Sequence, residues 1–488
     1  MEWSVHAVFV LVYLVVLIGV GAMKAGKIKT QEDFSLAGRG LTTFVLVGTL
    51  LATWIGTGSI FGNAEKTYEV GIGAFILPLG GLLGILVLFT LASRIRGLEQ
   101  ITLQDILERR FGVAARVLGL VALMLAYVII VSYQYRAGAA VVSYLIPGID
   151  HGAAIVAVAI FVIAYTALAG MISVAYTDVA NGVLMTVGIL IALPMLYTAA
   201  GGFEGALASL PESHRTVHTA WQPVKLVNWL LPAFLLLLGD ANMYQRFFSA
   251  KDARTARRAA GWMILGIVVL ETAIIATAFF GRALVAQGKL ALLGEDGGNP
   301  AHVVVAIAFQ DGLLPSFLGA LLMATVIAIV VSTADSFLLA PSTSFVRDVW
   351  QRFVRPQADG REAVLVGRIV VIVYGLVALV LAFQSKKFFD IALFAYTIYG
   401  ASITPVMIAA FFWKRATARG ATASMLTGLV TSIGWWQLQN HKWFSVSLKS
   451  DFLQSVDAVL PALLFAVVAL VVVSLLDKPP SEALLNAT

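Results

Sequence analysis

The chain contains no cysteine. That excludes disulfides, thiolate metal sites and cysteine nucleophiles together, and leaves the redox compartment open. Charge is scarce as well: 12% of the 488 residues are Asp, Glu, Lys or Arg, where an average soluble domain carries about 25%. Histidine is limited to six residues with no His-Glu-x-x-His among them. His214 and His218 have i, i+4 spacing but no third ligand in sight, so a zinc site is not expected. Gly21 to Lys27 approximates a phosphate-binding loop, yet Ile28 stands where the magnesium-binding hydroxyl belongs and no strand precedes it. The Gly239-Asp240 pair follows Leu237 and Leu238 rather than a Gly-x pattern, which argues against an intramembrane enzyme.

What fills the chain instead is apolar: 60% of its residues are hydrophobic. Runs of about 20 such residues span a bilayer, and in lipid each must satisfy its own backbone as a helix. Thirteen spans are expected, at Val5–Met23, Phe44–Asn63, Gly71–Leu91, Leu118–Leu145, Ala153–Ala169, Thr177–Ala199 and Leu226–Gln245, then at Ala259–Gly281, Leu313–Ala340, Ala363–Phe383, Phe388–Trp413, Ala421–Leu438 and Ala458–Leu476. The first run follows Glu2 and no Lys or Arg, so it reads as a retained span rather than a signal peptide.

The loops orient these spans. Counted over alternate loops, the 33 Lys and Arg divide 21 to 9, with Arg116, Arg136 and Arg368 in or at the edge of spans. Positive loops stay inside, so the N-terminus is expected outside and the C-terminus in the cytoplasm, in the inner (plasma) membrane. Loop charge also accounts for the net +6 without invoking nucleic acid. Membrane lipid is the expected surrounding, and the oligomeric state is not legible.

Two spans look interrupted. The second contains Leu50-Leu51-Ala52-Thr53-Trp54-Ile55-Gly56-Thr57-Gly58-Ser59, and the seventh contains Leu238-Gly239-Asp240-Ala241-Asn242. Small and polar residues inside a span weaken the helix and free backbone groups. Broken helices in corresponding positions of two halves mark binding sites in transporters. The two interruptions sit five spans apart, as an inverted repeat of five-span halves requires. Trp54, Thr57, Ser59 and Asp240 are therefore candidate solute contacts.

Ionisable residues within spans are functional candidates by default. Arg136 follows Tyr133-Gln134-Tyr135. It suits either a bidentate hold on a solute carboxylate or an internal ion pair, for which Glu271 is one partner to consider. Asp178 stands at the expected start of the sixth span, where a helix-capping acid is the ordinary alternative to a site. Asp335 lies in Ser332-Thr333-Ala334-Asp335-Ser336 of the ninth span. Ile329, Ser332, Thr333 and Ser336 share one helix face. Such hydroxyls serve either as interhelical glue or as ligands for a hard cation. Ala52 and Ser332 each lie about eight residues from the inner end of their spans, roughly 12 Å deep, so the two segments can meet.

With these residues in view, the chain resembles the sodium/solute symporter family, whose members have the five-plus-five inverted-repeat fold of the bacterial leucine transporter. The likeness runs from about Phe34 to Trp413. It is carried by Ala52 to Gly62, by Ser173-Val174-Ala175-Tyr176-Thr177-Asp178, by Tyr244-Gln245-Arg246 followed by Ala250-Lys251-Asp252, and by Ser332 to Ser336. The resemblance implies an all-α membrane protein. Residues 1–30 would add an N-terminal span, 34–413 would form the inverted-repeat core, and 414–488 would add two spans and a tail. It implies a sodium site from the carbonyls of Ala52, Ile55 and Ile329 and the hydroxyls of Ser332 and Thr333. Some members have a second site, which here would use Asp178, Ser332, Asp335 and Ser336. Asp335 stands where some members carry serine, which leaves room for a proton instead.

The expected function is thus secondary active transport: sodium-coupled symport of a small, carboxylate-bearing organic solute by alternating access. A choline-like solute is an alternative, because the Ala52 to Gly56 stretch resembles the choline-transporting branch, where an aromatic faces the cation. A sugar fits less well, because Ala233, Leu236 and Leu237 cannot bond its hydroxyls. Proton coupling is a further alternative; a channel or an intramembrane enzyme ranks last.

Overall fold

The computed structural model describes residues 5–25, 30–218, 221–292, 298–384, 388–440 and 455–481. Among the loop cations counted above, Lys27, Lys29, Lys386, Lys387, Lys442 and Lys449 lie outside the described residues, as does the end of the Gly21–Lys27 stretch.

The described residues are helical from end to end, with no strand. Their single β-bridge pairs Leu41 with Ala250. The Leu41 N–H donates to the Ser249 carbonyl (3.1 Å), and the Lys251 N–H donates to the Leu41 carbonyl (2.9 Å). This clip joins the residues just before the first interrupted span to those just after the second.

All thirteen expected segments fall on helices. Ten described helices are long and apolar enough to cross a membrane, or eleven when the bent pair Thr43–Trp54 and Gly58–Ile76 counts as one span. The two segments outside that set are Val5–Ala25 and Ala418–Asn440. The second is diluted by Thr, Ser, Gln and Asn. A count of thirteen membrane crossings therefore goes beyond what the helices establish.

Burial orders the bundle. Of the most apolar part of Ser316–Val354, 83% is buried, against 28% for Gly360–Ala382. The first is a central helix and the second faces outward. Ile160, Val380 and Leu464 are more than half exposed; a continuous apolar exterior of this kind belongs in hydrocarbon.

The breaks have local causes. The first helix ends at Trp54, and Ile55 leaves helical geometry (φ −78°, ψ 88°). The chain restarts at Gly58 with a wide turn of π-type winding through Gly62. The two halves are bent by 49°. In the seventh span Asp240 is extended (φ −64°, ψ 112°), and its carboxylate caps the next helix by accepting from the Asn242 N–H at 2.9 Å.

One boundary differs from expectation. The sixth span starts at Gly170, where φ is +63°, and not at Thr177. A left-handed residue is inexpensive only for glycine, and here it turns the chain directly from one span into the next. Asp178 consequently sits more than two turns inside a helix. The capping alternative for it is excluded.

Candidate functional site

Three elements converge on Asp178: the first half of the interrupted second span, the helix Gly170–Ala199 and the central helix. The Ser332 hydroxyl donates to Asp178 Oδ1 at 2.5 Å, and its oxygen lies 3.3 Å from the Ala52 carbonyl. Thr49 Oγ1 donates to Asp178 Oδ2 at 2.5 Å. The last i, i−4 bond of the first half-helix runs from the Ile55 N–H to the Leu51 carbonyl (2.8 Å). The carbonyls from Ala52 onward therefore lie past the end of the ladder, the situation that frees backbone oxygens for a cation. Thr333 Oγ1 and Asp335 Oδ2 are buried with no hydrogen-bond partner among the described residues. Unsatisfied buried oxygens are costly unless something else is there to meet them.

Glycine permits the approach. A Cβ on Gly56 would lie 2.8 Å from both Cγ2 and Oγ1 of Thr333. The Gly56→Ala substitution is accordingly expected to push Thr333 away. Overpacking costs about 1–3 kcal/mol, so the sodium concentration for half-maximal transport should rise roughly ten-fold or more. A sodium titration of uptake unchanged from wild type would show that this contact is only packing.

Arg246 enters the same cluster; the loop count above took it for an inside-loop cation and it otherwise figured only in a motif, but it is buried in the helix Ala241–Ser249. Its Nη2 donates to Ser336 Oγ at 2.7 Å and lies 3.5 Å from Asp178 Oδ2, while its Nε donates to Thr49 Oγ1 at 3.0 Å. Ser336 in turn donates to Asp335 Oδ1 at 3.3 Å. The expected second-site residues are therefore together, with a guanidinium among them. No spacing rule links Arg246 to Asp178, which stand 68 positions apart on separate helices.

A cleft of about 520 Å³ opens on the other side of the first break. Trp54, Gly58 and Ser59 line it, as do Trp229, Glu271, Phe389 and Tyr396. Glu271, considered above as an ion-pair partner for Arg136, lies in this lining. Here it accepts from Ser59 Oγ at 2.6 Å and from Asn63 Nδ2 at 3.0 Å.

The other expected solute contacts are not in the cleft's lining. Thr57 donates to Gln134 Oε1. Asp240 accepts from the Tyr127 hydroxyl and the Asn242 N–H. Arg136 lies 5.4 Å from the centre of the Phe388 ring, and Glu271 forms no ion pair with it. Among the described residues no three His, Cys, Asp or Glu are arranged to hold a metal ion, so a cation here would meet carbonyl, hydroxyl and single carboxylate oxygens.

This architecture is shared with known proteins. The chain is similar to a Na+-coupled sialic acid symporter in its substrate-bound outward-open state, with a TM-score of 0.82, 19% identity and 98% of each chain covered. It is also similar to a transporter of the nucleobase-cation-symport-1 family in a closed conformation, with a TM-score of 0.61, 14% identity, and 93% and 97% of the two chains covered. At these identities the likeness speaks for the fold alone. Among curated proteins, the sodium/proline symporter of Haemophilus influenzae is 26% identical, covering 97% of this chain and 95% of that one. The high-affinity proline transporter PutP of Bacillus subtilis is 27% identical, covering 96% and 97%. The model of the sodium:solute symporter family matches residues 34–428. With that match spanning most of the sequence and the fold agreeing, the chain belongs to the sodium:solute symporter family, whose members are membrane transporters and not enzymes.

Proposed function

We propose that this sodium-coupled symporter carries a small carboxylate-bearing organic solute by alternating access, with sodium held where the Ala52 carbonyl meets Ser332. The observation that carries the reading is that juxtaposition: a carbonyl in the last turn of its half-helix, beyond the i, i−4 ladder, and 3.3 Å from a buried hydroxyl on the central helix. The carbonyls of Ile55 and Ile329 and the unpartnered Thr333 hydroxyl would complete an all-oxygen shell of the kind a hard cation prefers. Asp178, with Asp335 and Ser336 beside it, would form a second locus for sodium or a proton, shared with Arg246.

For the solute, the support is chemical. Proline, named in several relatives, bears a carboxylate. The half-helix that restarts at Gly58 begins at the cleft, and its N-terminal end carries the positive partial charge that suits an anion. In the same reading residues 34–413 form the transporting core, residues 1–30 and 414–488 are additions to it, and the N-terminus lies outside. A sugar is disfavoured because Leu236 and Leu237 are buried and Ala233 lines the cleft.

Proteoliposomes with an imposed inward sodium gradient test this. The panel would hold labelled proline, alanine, sialic acid, choline and glucose. Uptake of a carboxylate-bearing member is expected with sodium outside and is expected to be lost when potassium replaces it. Equal uptake in sodium-free buffer, or uptake confined to choline or glucose, would refute the proposal.

A further inference from the structure

We infer that the transported solute carries an ammonium group as well as a carboxylate, and that Glu271 is the residue that holds it. This rests on the solute site being the cleft at the first break.

The reasoning begins with charge. Glu271 is buried at 4% exposure in the middle of the long helix Ala253–Ala286. An acid inside a membrane protein is paired or faces a cavity. Of the other buried acids, Asp105 and Asp348 have Arg116 and Asp178 has Arg246; Asp240 and Asp335 form no ion pair among the described residues either, but neither lines the cleft. Glu271 forms no ion pair with any described Lys, Arg or His. Its two oxygens accept from Ser59 and Asn63, and the Trp54 indole N–H interacts with the same carboxyl group. It therefore presents its carboxyl group, held in place by neutral donors, to a cleft whose described lining includes no Lys, Arg or His.

The surroundings select among cations. Sodium wants a shell of oxygens, whereas most of this lining is aromatic or aliphatic. An organic ammonium needs one or two acceptors and welcomes aromatic faces. Trp54, Trp229, Phe389 and Tyr396 supply those faces. Two of the rings already serve this way: the Lys66 ammonium lies 4.8 Å from the centre of Trp229 and 5.5 Å from that of Phe389. Lys66 itself is neutralised by Glu69 at 2.8 Å. A small amino or imino acid fits the whole set, with its ammonium on Glu271, its carboxylate toward the Gly58 end, and its apolar part between the rings.

The test uses the full chain purified in detergent with saturating sodium. Binding is read from tryptophan fluorescence, since Trp54 and Trp229 line the cleft. The probes are matched pairs with and without the amine: L-proline and tetrahydrofuran-2-carboxylate, L-alanine and propionate, L-leucine and 4-methylpentanoate. A charged hydrogen bond is worth about 1.5–3 kcal/mol, or roughly 10- to 150-fold. The amine-bearing member of at least one pair is expected to bind tighter than its partner by that factor. Glu271→Gln should remove the difference while the sodium-induced thermal shift stays in place. Should Glu271→Gln fail to fold, the matched pairs on wild type and on Glu271→Asp decide.

Equal binding of the two members of every pair overturns the inference. So does Glu271→Gln binding the amine as tightly as wild type, or losing its response to sodium or only its pH dependence. Sodium-driven uptake of an amine-free carboxylate would sink this inference and leave the proposed function standing. Failure of sodium to drive any carboxylate would sink both.

Discussion

Replacing Arg116 with methionine is expected to destabilise the protein by roughly 3–5 kcal/mol, the usual cost of leaving buried charge uncompensated. Arg116 lies in the first turn of Val113–Leu145 and is buried. Its guanidinium reaches Asp105 at 2.5 Å and also pairs with Glu108 and Asp348. Three acids from two further elements therefore depend on one cation, with Arg347 at 3.5 Å from Asp105 and Arg352 at 2.6 Å from Glu108 in support. The short helix Leu103–Phe111 is held to the bundle in this way, and its own start is fixed by the Thr102–Asp105 capping box. Thermal unfolding in detergent would register the loss, and adding Asp105→Asn to Arg116→Met should recover part of it. An unchanged midpoint would mean that the cluster contributes specificity without stability.

The same cluster predicts a pH effect of definite sign. Burial pushes the Asp105 carboxyl upward, but Arg347 and Arg116 outweigh it and leave the group below its ordinary value. A carboxyl held low in the folded state binds its proton more weakly there than when unfolded. Its contribution is present above the ordinary carboxylate range and is lost as pH falls through and below that range. Wild type should thus lose stability on acidification more steeply than Asp105→Asn.

The largest functional effect is expected at the central helix. Ser332→Ala removes the donor to Asp178 and the oxygen beside the Ala52 carbonyl. Thr333→Ala removes a buried oxygen that has no partner among the described residues. If each hydroxyl faces sodium, each loss is worth about 1–3 kcal/mol, so the sodium concentration for half-maximal uptake rises on the order of ten-fold per substitution. The two together should have at most the product of the single effects, since both act on one ion. A structural role separates from this cleanly. Thr333→Ala would then leave the sodium titration alone, because no described bond is broken by it.

The all-helical membrane fold was legible because span length is a strong signal. The breaks at Ile55 and Asp240 were legible because Gly, Thr, Asp and Asn are conspicuous in apolar runs. Asp178 was harder to place. Whether it caps a helix or lies within one depends on where the helix starts, and that start is set by the left-handed Gly170, which looks like any other glycine in the sequence. Contacts between distant segments were less legible still. Glu271 and Ser59 are 212 positions apart, and Arg246 and Asp178 are 68 apart. Nothing in the spacing of either pair announces a bond. Arg136 shows the reverse case: its depth in a span drew attention, but depth does not say which way a helix turns its side chain.

Direct binding of radioactive sodium to the purified protein, without any solute, tests the sodium site most plainly. Wild type should bind sodium saturably and resist competition by potassium. The Ser332→Ala, Thr333→Ala double substitution should abolish that binding while the protein keeps its helical content. Wild-type-like sodium binding by the folded double variant would contradict a site built where the broken helix meets the central one.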